Sequence, residues 1–281
     1  MATEWPAPAK LNLFLHICGR RADGYHLLQT VFQLLDYGDT LRVSPRADGK
    51  IRRVAELPEV PEDEDLCLRA ARLLQQETGC RLGADIHIDK RLPIGGGLGG
   101  GSSDAATALV ALNALWRTGL DVDALSRLGL RLGADVPVFV RGLSAWGEGV
   151  GERLSPVRLG SRWYLVVAPG VSVSTGRVFA APELTRNTPR ITMSAFRAGR
   201  VRNDCEPVVR GLYPEVARAR DWLAQFGEAR LTGTGGCVFA AFATEPEARA
   251  VCEQVPPPWQ AFVARGVDVS PLRRVAAAQA A

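Results

Sequence analysis

Between residues 95 and 104 the chain reads Gly95-Gly96-Gly97-Leu98-Gly99-Gly100-Gly101-Ser102-Ser103-Asp104, with six glycines in seven successive positions of a 281-residue chain that holds 29. Backbone without Cβ atoms can take positive φ repeatedly and can bring its N–H groups close to an anion. Asp85 to Asp89, ahead of Leu92-Pro93, alternates as a strand does, and the apolar run from Ser103 to Trp116 reads as a buried helix. A strand, a glycine loop and a helix in succession gather free N–H groups and the positive end of a helix dipole at one point, which suits phosphate. Ser102 and Ser103 add hydroxyls within reach of phosphate oxygens or of Mg²⁺. No Lys-Ser or Lys-Thr follows the glycines, so this is not a Walker A loop, and the acidic residue of a dinucleotide fingerprint is also missing. A flexible linker could share this composition, but linkers do not ordinarily join a strand to a long apolar helix.

Around the loop, strand and helix patterns mix without strict alternation, which predicts an α+β fold. Strands are expected over Lys10–Ile17, Leu27–Leu35, Thr40–Val43, Val136–Val140, Trp163–Ala168 and Cys237–Ala243, with Asp48-Gly49 as a hairpin turn. Helices are expected over Glu64–Glu77, closed by Gly79, and over Val122–Leu132, opened by Asp121 and closed by Gly133. A further helix is expected over Val216–Phe226, after an irregular stretch from Ala181 to Ser194. Weak periodicity over Pro156–Gly160 suggests a junction between domains 1–155 and 156–281.

The balance of 34 basic and 30 acidic residues, a net charge of +4, is mild and spread out. With no basic run interleaved with aromatics, nothing points to nucleic acid as a partner. Six cysteines without a C-x-x-C pair, and three histidines at no ligand spacing to them, favour free thiols and give no metal site. The N-terminus lacks a signal-peptide layout and no apolar stretch is long enough for a bilayer span, so a cytoplasmic chain without a membrane partner is expected.

Phosphoryl transfer needs positioning, charge stabilisation and a carboxylate to orient or deprotonate the attacking hydroxyl. Lys10, in Pro6-Ala7-Pro8-Ala9-Lys10-Leu11-Asn12, and Asp135, in Gly133-Ala134-Asp135-Val136-Pro137, are the candidates. Taken alone, the lysine reads equally as a solvated strand-edge residue and the aspartate as a turn former.

The segments Pro6–Asn12, Pro93–Ser103 and Leu231-Thr232-Gly233-Thr234-Gly235-Gly236-Cys237 together resemble, in order and separation, the motifs of the GHMP kinase superfamily across nearly the whole chain. Arg20–His26, Phe32–Asp39, Gly133–Phe139 and Asn203–Glu206 resemble a branch of it whose members phosphorylate a methylerythritol linked to cytidine diphosphate. The resemblance implies a two-domain α+β GHMP kinase fold, the first domain like one of a ribosomal protein and the second ferredoxin-like. It implies transfer of the ATP γ-phosphate to the C2 hydroxyl of the substrate, in the non-mevalonate route to isoprenoid precursors, with Mg²⁺ held mainly through the nucleotide phosphates. Asp135 then matches the base and Lys10 its cationic partner, favouring the developing alkoxide. Pro93, Ile94, Gly95, Gly96, Gly97, Leu98, Gly99, Gly100, Gly101, Ser102 and Ser103 would hold ATP, with Lys90 and Asp65 at the adenine. Asp65 stands where the family carries Asn. Asn12, Tyr25, His26, Phe32, Phe179, Gly233, Thr234 and Gly235 would hold the cytidine-diphosphate substrate, Tyr25 and Phe179 by stacking on the pyrimidine. Val173-Ser174-Thr175-Gly176 departs from a pattern that usually carries Pro-Thr, and Thr232 and Gly236 replace a usual Ser and Ala.

Two other readings fit parts of the sequence. Another GHMP kinase, acting on homoserine, mevalonate or a sugar, would have no use for the aromatic pair. A non-catalytic nucleotide- or RNA-binding module would have no use for both Lys10 and Asp135. A monomer or a weak homodimer is expected.

Overall fold

A computed structural model describes residues 2–55, 57 and 60–280. The chain opens with two long antiparallel strands, β1 (Thr3–Arg20) and β2 (His26–Arg46), and a short β3 (Ile51–Arg53). Helix α1 (Leu66–Thr78), strand β4 (Gly83–Asp89), helices α2 (Gly100–Trp116), α3 (Val122–Leu130) and α4 (Val136–Arg141), and strands β5 (Ala145–Gly149) and β6 (Arg153–Pro156) follow. Then come β7 (Trp163–Ala168), α5 (Thr175–Ala180), α6 (Met193–Arg197), α7 (Glu206–Leu212) and α8 (Pro214–Leu223). The chain ends with β8 (Arg230–Leu231), β9 (Val238–Phe242), α9 (Glu245–Cys252), β10 (Gln260–Val267) and α10 (Pro271–Ala280).

β2 is the hub of the sheet. The sequence suggested two strands there, but Asp36-Tyr37-Gly38-Asp39 continues the ladder, because Gly38 lets β1 cross so closely that a Cβ would overlap the Ala7 carbonyl. Along its 21 residues β2 pairs with β1, β4, β5 and β10. The register of β1 breaks between Pro8 and Lys10 and again between Asn12 and Leu15. These irregularities bracket Lys10-Leu11-Asn12, and bulges of this kind re-aim the side chains between them. Lys10 and Asn12, two residues apart, share one face of the strand.

The expected Asp48-Gly49 hairpin does not form. β3 pairs in parallel with β4, while Lys50 accepts a backbone bond from Ala84 and the Gln75 side chain binds the Gly49 carbonyl. Val136–Val140, expected as a strand, is helical. Every residue of that run is buried, so burial carried no period, and Pro137 sits in the first turn, where its missing N–H is harmless. Gly133 does not close α3, which ends through Arg131; it lies in the turn between α3 and α4. Asp65, Gly79 and Asp121 cap their helices as capping rules lead one to expect.

One apolar core lies between the first part of the sheet and α1 to α4, built on residues such as Trp5, Phe32, Leu68 and Leu109. A second lies under α7 and α8 against β7 and β9, and a third, with Leu11, Leu98 and Phe239, joins them beneath the glycine loop. β10 pairs with β7 along Gln260–Arg265 and with β2 at Gly266 and Val267. Leu272 of α10 returns to the first core. All six cysteines are free thiols.

Candidate active site

A cleft of about 780 Å³ opens where the bulged part of β1, the glycine loop, the start of α4 and two glycine-bearing turns meet. Lys10, 3% exposed, lies at its floor. Its Nζ donates to Asn12 Oδ1 and stands 3.2 Å from Asp135 Oδ2. Asn12 is fixed in turn: its Nδ2 donates to Thr30 Oγ1 (2.9 Å) and its backbone N–H to Thr232 Oγ1 (3.0 Å). Asp135 occupies the N-cap of α4 with helical backbone angles and makes no capping bond. Its carboxylate, about a third exposed, is thus free to face the cleft beside the ammonium.

The glycine loop folds against these groups. Lys10 N–H donates to the Leu98 carbonyl (3.0 Å), and Gly99, at φ 74°, leaves room for the Phe139 ring, which a Cβ would approach to 2.8 Å. α2 begins directly after it, with no acidic residue in its first turn. The first helical bond runs from Ser103 N–H to Gly99 O, so the N–H groups of Gly100, Gly101 and Ser102 have no acceptor within the helix. Ser102 lines the cleft. Ser103 does not: it is fully buried and its hydroxyl donates to the Pro8 carbonyl at 2.7 Å. The structure gives that serine a fastening role, tying α2 to β1.

Gly97 also lines the cleft, and the other loop residues act as backing. Gly96 accepts a bond from Cys237 N–H, Leu98 is buried, and Gly95 packs beside Ser172. Pro93 and the half-exposed Ile94 lead into the loop outside the cleft. Lys90 Nζ lies under Gly100, bound to Asp39 Oδ2 (2.5 Å) and Asp104 Oδ2 (2.9 Å). Burial pushes the Asp104 carboxyl up to about 7, and its Oδ1 has no partner. One lysine serves two carboxylates here, and Asp39 also accepts from the N–H groups of Arg91 and Leu92. Asp65 is committed within the protein. One oxygen caps α1 through Cys67 and Leu68 N–H, and the other pairs with buried Arg53 at 2.9 Å.

The third glycine turn reaches the cleft through Gly233 and Thr234. Asn203 carries it there, donating to the carbonyls of Leu231 (2.9 Å) and Gly233 (2.8 Å). Thr232 ties the turn to the loop by donating to Gly97 O (3.3 Å). Gly235 faces the other way, toward Leu231 and Val209, and is absent from the cleft lining. Thr175, from the stretch that departs from the usual pattern, meets Thr234 at 2.8 Å.

At the far end of the cleft stand Tyr25, His26 and Phe179, while Phe32 lines it beside Lys10. Phe32 is buried 5.7 Å from Lys10 Nζ, so it serves the floor. Tyr25 is 64% exposed on the turn after β1. The Phe179 ring lies on His26, centroids 4.8 Å apart and planes at 19°. Behind them is a residue that no motif signals. Arg186 donates from Nε to His26 Nε2 (3.2 Å), and its other nitrogens bind the carbonyls of Phe179 (2.9 Å), Ala181 (2.7 Å) and Leu184 (3.0 Å). Burial, with the charges of Arg186 and Arg20, holds the His26 imidazole below its ordinary pKa. Among the described residues no group of three or more His, Cys, Asp or Glu is placed to hold a metal ion, and no helix is long and apolar enough to cross a membrane.

Residues 65–143 match the GHMP kinases N terminal domain and residues 183–259 the GHMP kinases C terminal domain. A 4-diphosphocytidyl-2-C-methyl-D-erythritol kinase of Halorhodospira halophila is 63% identical over 271 residues, covering 95% of this chain and 94% of that protein. One of Alkalilimnicola ehrlichii is 65% identical over 269 residues, covering 96% and 92%. A crystal structure of a 4-(cytidine 5'-diphospho)-2C-methyl-D-erythritol kinase superposes with a TM-score of 0.82 at 35% identity, covering 94% of this chain and 100% of that one. A mevalonate kinase of Methanococcus jannaschii shares the fold, with a TM-score of 0.68 at 18% identity over 95% of this chain and 98% of that one.

Proposed function

The chain belongs to the GHMP kinases, in the group of the 4-diphosphocytidyl-2-C-methyl-D-erythritol kinases, and on that footing we propose that it moves the γ-phosphate of ATP to the C2 hydroxyl of 4-diphosphocytidyl-2-C-methyl-D-erythritol, releasing ADP. The observation that carries this reading is the Lys10–Asp135 pair, 3.2 Å apart, in one cleft with the glycine loop on one side and the Tyr25–His26–Phe179 group at the other end.

Asp135 accepts the proton of the C2 hydroxyl as that oxygen attacks the γ-phosphorus, and the bond to the β-phosphate oxygen breaks. Lys10 offsets the negative charge growing on the attacking oxygen, and Asn12 keeps the ammonium in place. The phosphates rest on the free N–H groups at the start of α2, with the Ser102 hydroxyl as the loop's side-chain donor. The donor set fits Mg²⁺ held through the phosphates rather than in a protein cage; bound there, the ion would neutralise phosphate charge. The cytosine sits at the aromatic end, against Tyr25 and Phe179, which sets the reacting hydroxyl by fixing the rest of the molecule. The reaction belongs in the cytoplasm, where ATP is supplied.

ADP release tests this with Mg·ATP and 4-diphosphocytidyl-2-C-methyl-D-erythritol, beside homoserine and mevalonate. Turnover with the cytidyl compound alone is expected. Activity on a control but not on that compound would keep the phosphate site and overturn the pyrimidine reading.

A further inference from the structure

We infer that Arg186 makes the far end of the cleft a reader of cytosine rather than of pyrimidines in general, by locking His26 in one tautomer; this rests on the pyrimidine reading given above. Arg186 Nε–H donates to His26 Nε2, so that nitrogen must present its lone pair. The proton of the neutral ring is therefore on Nδ1. An imidazole free to rotate or exchange its proton could offer either a donor or an acceptor to a base. Here it offers a donor only.

The lock is built rather than incidental. Three carbonyls, of Phe179, Ala181 and Leu184, hold the guanidinium from behind, so Arg186 has no freedom to turn away. The Phe179 ring stacks on one face of the imidazole. The charged groups around the ring are Arg186 from the loop after α5 and Arg20 from the end of β1; Asp23, in the turn between β1 and β2, is paired with Arg21 at 2.7 Å. Two guanidiniums and no free carboxylate oppose a second proton on His26, which would abolish the acceptor that Arg186 needs.

Cytosine and uracil differ at the edge such a donor meets. Cytosine N3 is an acceptor and uracil N3 carries a hydrogen. An Nδ1–H donor matches the first and confronts the second donor to donor, leaving both groups unpaired in the complex. Arg186 does not line the cleft, so it is a positioning residue that sets selectivity through His26.

The test uses CMP and UMP as inhibitors competing with the cytidyl substrate on the full-length protein. The wild type should favour CMP by about tenfold or more, as sites that pair a polar group of the ligand do. Arg186→Met, which keeps the stem but no donor, should bring the two nucleotides to within about threefold of each other, while kcat at saturating substrate stays the same. Arg186→Lys, which restores a donor, should recover most of the preference. An unchanged ratio in Arg186→Met overturns the inference. If neither nucleotide competes in the wild type, the pyrimidine reading itself fails and the inference with it, a result distinct from CMP binding with an unchanged ratio. Nitrogen chemical shifts of His26 in the wild type give a measurement that needs no variant. A proton on Nδ1 and none on Nε2 is expected at neutral pH; a proton on Nε2, or exchange between the two, overturns the inference.

Discussion

Gly99 lies so close to Lys10 that a Cβ at position 99 would stand 3.2 Å from Lys10 Cε, with the Phe139 ring nearer still at 2.8 Å. The glycine loop and the Lys10 floor of the cleft are thus in contact through a position where no side chain fits. Gly99→Ala would add a left-handed backbone cost of about 1–2 kcal/mol to the displacement of a buried ring. The expected outcome is a KM for ATP raised by tenfold or so, with substrate binding kept. Separate titrations of a non-hydrolysable ATP analogue and of CMP would check it; equal loss of both would mean that the change had collapsed the whole cleft.

Asp135→Asn should keep the shape of the N-cap, since the carboxylate makes no capping bond there. Turnover should fall by about 10²–10⁴, the range for loss of a positioned base, with ATP affinity unchanged. Single-turnover rates alongside nucleotide titration decide this, and a kcat near that of the wild type would remove Asp135 from the mechanism.

The two loop serines should separate cleanly. Ser103→Ala loses a buried hydrogen bond to Pro8 O and should cost about 1 kcal/mol of stability, read as a lower melting temperature at unaltered KM for ATP. Ser102→Ala, at the cleft, should raise that KM with little change in melting. The opposite pattern would reverse the roles given to them here.

Asp104 links stability to pH. Burial raises its carboxyl from 3.8 to about 7, so between those values the folded protein holds a proton that the unfolded chain has released. Its contribution is therefore fully present at low pH and is lost as pH rises toward 7. Asp104→Asn should remove that part of the slope. Denaturant unfolding across the acidic-to-neutral range would show it, and an identical slope in both proteins would rule it out.

What the sequence disclosed, and what it hid, follows from where each role is encoded. The glycine loop was legible from its run of residue types alone, whereas Lys10 and Asp135 each kept a second reading until the resemblance singled them out. Helix α4 was hidden because all of Val136–Val140 is buried, and periodicity requires an exposed face to contrast with a buried one. Ser103 and Ser102 look alike in a string, and only the first turn of α2 decides which points inward. Gly235 shares a motif with Gly233 and yet serves the Leu231–Val209 side. Arg186 had no signal at all. It works through backbone carbonyls and one histidine 160 residues away, and the stretch around it has no periodicity to mark it.

β10 joins β7 and β2 by hydrogen bonds, and in chain order it follows the other strands of the sheet. Synthesis delivers the long β1–β2 ribbon first, with the edge that β10 will occupy still bare. Each half can gather its own core as it emerges, but the strand that welds them arrives last. The order in time is thus the reverse of the order in importance: Lys10 and the glycine loop are made early and wait for residues 260–267 before the wall behind them is continuous. A growing chain of this kind carries an unfilled strand position until residue 267 is made, and a stop codon before that point would leave it open for good.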